Sequence, residues 1–251
     1  MNAQRFQDKI AVVTGGNSGI GLAAAKAFAS EGARVAILGR DPKTLAAAKA
    51  ELGPKAIAVQ GDVSRLADIQ KLFDTVAKEA GRVDALFVNA GVGRFAPIEE
   101  VDEEFFDNQF ATNVKGAYFT IQKALPLMPR GSAIVINASS VVNMGLANSS
   151  VYTATKAAVA SLARSLALEL APRGIRLNIV NPGPIETPIF GRMNLPAEAT
   201  QALAGQILSS VPLQRFGAPE EVARGVLFLC SDEAAFVHGA SLAIDGGIAS
   251  L

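Results

Sequence analysis

Tyr152 and Lys156 stand one helical turn apart in the segment SVYTATKAAV, Ser150 to Val159. Positions i and i+4 of an α-helix share a face, so the phenol and the ammonium would point into the same space. A phenol beside a carbonyl oxygen can give it a proton as hydride reaches the carbon, and can take that proton back in the reverse direction. An unperturbed phenol titrates near about pH 10, too high for a base at neutrality, and a neighbouring positive charge favours its ionised form. Lys156 would supply that charge, as would an oxidised nicotinamide. The same spacing also arises on plain helix surfaces, with the tyrosine at a core edge and the lysine reaching for water. What separates the two readings is whether the chain builds a cofactor site nearby.

Such a site is suggested by TGGNSGIG, Thr14 to Gly21, which closes an aliphatic run and opens an alanine-rich one. Glycines at a strand-to-helix turn let backbone approach a pyrophosphate, and the helix N-terminus aims free N–H groups at it. The loop of Gly15, Asn17, Ser18, Gly19, Ile20 and Gly21 is therefore read as a dinucleotide cradle. At the end of the following strand an acid would bind the 2′-hydroxyl of NAD, whereas arginine accommodates the 2′-phosphate of NADP. The sequence there is LGRD. Gly39 stands where the acid would come and Arg40 follows it, which favours NADP(H) over NAD(H). Asp41, before Pro42, suits a helix N-cap that turns its charge away.

The elements that must position these groups alternate along the chain. Strands are expected at Ile10–Val13, Val35–Leu38, Ile57–Val59, Leu86–Val88, Ile134–Ile136, Leu177–Val180 and Leu242–Ile244. Helices are expected at Ile20–Ser30, Pro42–Leu52, Leu66–Glu79, Glu103–Leu127, Tyr152–Ala171 and Pro219–Leu229, the first ending at Glu31-Gly32. This is an α/β chain of Rossmann type, a doubly wound seven-stranded parallel sheet with helices on both faces. A single domain over residues 1–251 is expected, with a substrate lid at about 182–212, where proline and small residues make a long irregular stretch.

Half of the 251 residues are hydrophobic and the formal net charge is +0, enough for a large core and without the charge excess that nucleic acid or an anionic membrane would call for. No stretch reads as a signal sequence or membrane span, and a reducing cytoplasm suits the lone Cys230 in the apolar run GVLFLC. No His/Cys/carboxylate cluster has metal-ligand spacing. The single histidine, His238, lies far in sequence from the tyrosine and is read as structural or as a surface residue.

These motifs, with GDV at Gly61–Val63, NAG at Asn89–Gly91, Asn113 in FATNVKG, NASS at Asn137–Ser140, NPGPIETP at Asn181–Pro188 and AIDGG at Ala243–Gly247, resemble the short-chain dehydrogenases/reductases over nearly the whole length. The resemblance implies that Asp62 and Val63 lie beside the adenine, and that Asn89, Ala90 and Gly91 line a cofactor ribose. It implies that Pro182, Gly183, Ile185 and Thr187 cup the nicotinamide. It further implies that Lys156 bonds the nicotinamide ribose, that Asn113 keeps a relay water, and that a serine holds the substrate oxygen. Family spacing of thirteen residues before the tyrosine selects Ser139, whereas the strand register of INASS selects Ser140. Ser140 is preferred here, since a strand end is rigid and the following loop can absorb a deletion. Val88 replaces the first asparagine of the family's usual NNAG.

The substrate pocket is expected from Phe95, Val141, Met144, Leu146, Phe190, Met193 and Leu195, an apolar set suited to a hydrophobic ketone, aldehyde or secondary alcohol. Arg94 is read as a rim residue that could otherwise meet an anionic acyl-carrier arm. The resemblance is nearest to broad-range NADPH-dependent alcohol dehydrogenases and carbonyl reductases, with 3-oxoacyl-carrier-protein reductase as the alternative. A non-catalytic NADP-binding redox sensor is the alternative from another class, and the chain is short for an extended sugar epimerase. By resemblance the assembly is a homotetramer.

Overall fold

In the computed structural model, residues 4–187 and 205–249 are described. Seven parallel strands form one sheet in the order β3-β2-β1-β4-β5-β6-β7. They are β1 Ile10–Thr14, β2 Arg34–Gly39, β3 Ile57–Gln60, β4 Ala85–Val88, β5 Ala133–Asn137, β6 Arg176–Pro182 and β7 Ser241–Ile244. Each contains the expected run, lengthened by one to three residues at its ends. β1 and β4 are buried throughout, as both faces of a parallel sheet are covered by helices.

The helices are α1 Gly19–Ser30, α2 Pro42–Leu52, α3 Leu66–Glu79, α4 Glu103–Phe110, α5 Gly116–Ala124, α6 Ser150–Leu170 and α7 Pro219–Cys230. Two apolar layers result. One packs α3, α5 and α6 under Val12, Leu86, Ile134 and Ile179, and the other packs α1 and α7 over Val13, Phe87, Val135 and Val180. The Asp41 carboxylate accepts from the Thr44 backbone N–H at 2.7 Å, so the expected N-cap forms.

One expected helix is different in kind. Glu103–Leu127 is interrupted by a π turn over Ala111–Lys115 and finishes in a 3-10 turn at Leu125–Leu127. Two contacts explain the widened turn: the Asn113 side chain bonds outside its own helix, and a Cβ on Gly116 would come within 2.9 Å of Val63. The fold thus brings the C-terminal ends of β1, β4, β5 and β6 to one rim, where strand order reverses between β1 and β4, the crevice in which doubly wound sheets bind ligands. Of the expected lid, residues 188–204, with Phe190, Met193 and Leu195, lie outside the described residues.

Candidate active site

The glycine loop leaves β1 and enters α1 through backbone that only glycine holds at low cost. Gly15 has φ +65°, and a Cβ on Gly21 would fall 2.2 Å from the Gly15 carbonyl oxygen. Ser18 is the N-cap of α1 but makes no side-chain cap bond, and no acid sits in the first turn. The orphan N–H groups and positive end of α1 are therefore open to an anion.

Across the crevice, Thr14 and two asparagines tie three strand ends together. Thr14 Oγ1 accepts from the backbone N–H of Asn89 and of Ala90, at 3.0 and 3.1 Å. Asn89 Nδ2 donates to the Thr14 carbonyl at 3.0 Å, and Asn137 Nδ2 donates to Asn89 Oδ1 at 2.9 Å. Val88 contributes only packing.

The next layer holds Tyr152 and Lys156. Lys156 is buried, and its Nζ donates to the Asn137 carbonyl at 2.9 Å. The same Nζ lies 5.7 Å from the centre of the Tyr152 ring. Burial pushes the lysine down from 10.5 to about 8, so it still carries a charge at neutral pH. Burial pushes the Tyr152 phenol above its ordinary value, and a hydrogen bond with the Ser139 side chain acts against that rise. A Cβ on Gly91 would sit 3.3 Å from Asn113 Oδ1 and 3.6 Å from Lys156 Nζ, so the NAG turn, the π turn and α6 meet at one point.

β5 ends at Asn137, Ser139 takes the N-cap of a 3-10 turn with its Oγ accepting from the Val141 N–H at 3.4 Å, and Ser140 is the first residue inside that turn; both serines are buried. The strand on which the Ser140 register was counted stops two residues before Ser139. Asn113 is buried in the π turn. Its Nδ2 donates to the Val92 carbonyl at 2.8 Å and to Thr155 Oγ1 at 3.0 Å, and its Oδ1 accepts from the Val92 N–H at 2.8 Å. With both amide protons committed, the side chain anchors the loop after β4.

A match to the family model described as enoyl-(acyl carrier protein) reductase runs over residues 15–249. The oxidoreductase asL5 of Sarocladium schorii is 44% identical over 99% of this chain and 98% of its own. The chain belongs to the short-chain dehydrogenase/reductase family. Among solved structures, levodione reductase is 33% identical with a TM-score of 0.92, covering 98% of this chain and 99% of that one. The 3-ketoacyl-(acyl-carrier-protein) reductase of Brucella melitensis complexed with NADH is 33% identical with a TM-score of 0.89, covering 97% and 99%.

Members of this oxidoreductase family bind a nicotinamide cofactor, and the uncapped α1 N-terminus with its close-packed glycines fits the pyrophosphate of one. Past the end of β2, Arg40, Asp62 and Gly61 border a cleft of about 380 Å³ together with Arg65, Asp68 and Lys71. Arg40 lies 3.7 Å from Asp62, and the Asp62 carboxylate also accepts from the Ser64 N–H at 2.9 Å. A Cβ on Gly39 would meet the Asn17 side chain at 2.5 Å, because that amide reaches across to donate to Thr44 Oγ1 at 2.8 Å. Val63 is buried against Gly116. Downstream, Pro182 ends β6, Gly183 passes close to Asp245, and Ile185 is bridged to Gly217, with Thr187 two residues further on.

Of the described pocket candidates, Phe95 lies 5.4 Å ring to ring from Tyr152, Val141 and Met144 are half-buried, and Leu146 is exposed. The Phe95 loop and the Met144 loop are joined by the Ala96 N–H bond to the Asn148 carbonyl, 2.9 Å. Arg94 lays its guanidinium 4.6 Å above the Phe105 ring. His238 accepts from the Leu177 N–H at Nδ1 and pairs Nε2 with the Ala167 carbonyl, the structural role expected of it. Cys230 is buried, and burial pushes its thiol up to about 12. Among the described residues no group of His, Cys, Asp or Glu could hold a metal ion, and no helix is long and apolar enough to cross a membrane.

Proposed function

We propose that the chain is an NADP(H)-dependent carbonyl reductase and alcohol dehydrogenase acting on small hydrophobic ketones, aldehydes and secondary alcohols, with Tyr152 as the general acid and base. The observation that carries this reading is the Tyr152 ring 5.7 Å from the buried Lys156 ammonium, which the Asn137 carbonyl holds at the end of β5. A bound nicotinamide supplies or accepts the hydride at the substrate carbon. Ser139 holds the substrate oxygen, and Tyr152 protonates that oxygen as negative charge develops on it. A phenol raised by burial is protonated at neutral pH and ready to donate, so reduction runs at neutral pH and alcohol oxidation climbs as pH rises. Lys156, fixed by the Asn137 carbonyl, lowers the cost of the phenolate left behind and bonds the cofactor ribose.

The preference for NADP(H) is supported by Arg40 at the adenosine cleft and by the Asn17 amide, which fills the place a carboxylate at position 39 would need. The apolar wall of Phe95, Val141 and Met144 favours an uncharged substrate. Arg94, stacked on Phe105, is already engaged, which weighs against an acyl-carrier arm as its partner. Exposed Phe106 and Tyr118 on α4 and α5, and exposed Leu168, Phe228 and Phe236 toward the β7 edge, support association into a homotetramer in the cytoplasm. Steady-state rates with NADPH test the substrate class. An aromatic ketone turning over faster than a 3-oxoacyl thioester is the expected result, and the opposite order would replace this reading with an acyl-carrier-protein reductase.

A further inference from the structure

We propose that Thr155 is a positioning residue that locks the Tyr152 turn of α6 to Asn113 in the π turn. The inference rests on Tyr152 being the proton donor. Thr155 has no exposed surface, and its hydroxyl makes two hydrogen bonds: Oγ1 donates to the Tyr152 carbonyl at 2.7 Å and accepts from Asn113 Nδ2 at 3.0 Å. A hydroxyl has a single proton. With that proton on the Tyr152 carbonyl, a lone pair is left facing Asn113, and the amide is held in one orientation by its paired bonds to Val92. The links run in series from the loop after β4, through Asn113 and Thr155, to the backbone of Tyr152.

Nothing about helix stability asks for this hydroxyl. A buried hydroxyl must be compensated by hydrogen bonds, and threonine is a poorer helix former than alanine, which stands close by in α6 at Ala154 and Ala157. Valine would fill the same volume. Without the hydroxyl, one Asn113 proton is buried without a partner and the first turn of α6 loses its tie to the π turn. The phenol is then free to drift from its place beside the Lys156 ammonium, 5.7 Å from the ring centre.

The chain contains two tyrosines and no tryptophan, so Tyr118→Phe leaves Tyr152 as the sole phenol. Its ionisation can then be followed by phenolate absorbance after a rapid pH jump, with no substrate or cofactor present. In that background, Thr155→Val is expected to move the titration to higher pH by at least about threefold in ionisation constant, and Thr155→Ser is expected to restore it. Ketone reduction by Thr155→Val should fall about tenfold in kcat, with KM for ketone and cofactor within about twofold. If the valine protein does not fold, Thr155→Ala carries the same readout. A titration unmoved in the hydroxyl-free variant, or one that serine does not restore, overturns the proposal. Full turnover in Tyr152→Phe would instead refute the general-acid reading, while the spectroscopic result still judges Thr155.

Discussion

The two sides of the crevice are made by opposite means. The side proposed to hold the cofactor, from Thr14 to Gly21, is built of backbone and absent side chains: Gly15 takes a positive φ and nothing projects from Gly21. The side proposed to react is built of buried polar side chains from the π turn and α6, held from distant parts of the chain, as Lys156 is by the Asn137 carbonyl and Asn113 is by the Val92 backbone and the Thr155 hydroxyl. Damage to the first should appear in binding, and damage to the second in turnover.

Gly21→Val attacks the cofactor side most severely. A side chain whose Cβ would lie 2.2 Å from a carbonyl oxygen forces the loop apart, and overpacking of about 1–3 kcal/mol should weaken cofactor binding about 10- to 100-fold by fluorescence titration. Retained affinity would show that the loop is not the cradle.

A smaller effect concerns Lys156, whose value falls from 10.5 to about 8 on folding. A lowered lysine binds fewer protons when folded than when unfolded between those values, so its burial is least costly at high pH and stability rises there. Relative to Lys156→Met, the parent should gain about 2 kcal/mol between about pH 7.5 and about pH 9.5 in urea denaturation. A constant difference would mean that the ammonium is solvated and the reactive side is not dry.

The smallest effect expected is at the adenosine end. Arg40 is more than half exposed and paired with Asp62, so Arg40→Ala should raise KM for NADPH about tenfold and leave KM for NADH within about twofold. An unchanged ratio would remove the basis for the NADP preference.

The contrast also explains what could be read in the chain. Parallel strands buried on both faces are short aliphatic runs, and signals such as Asp41-Pro42 or the glycine loop act over a few neighbouring residues, so the sheet, most helix limits and the glycine turn were visible there. The π turn was not. Asn113 sits in it with its amide taken by Val92 and Thr155, both distant in sequence. After Asn137 a 3-10 turn replaces the strand, and no local periodicity records that, so the thirteen-residue spacing to Tyr152 and the strand register point to different serines. Thr155 went unnoticed as one small residue among alanines.

The division of labour between the two sides is tested most directly by Tyr152→Phe, with NADPH affinity and ketone reduction measured on the same protein. The account predicts NADPH affinity within about twofold of the parent and a kcat lower by about a hundredfold or more. Undiminished kcat, or loss of NADPH binding in step with turnover, would contradict it.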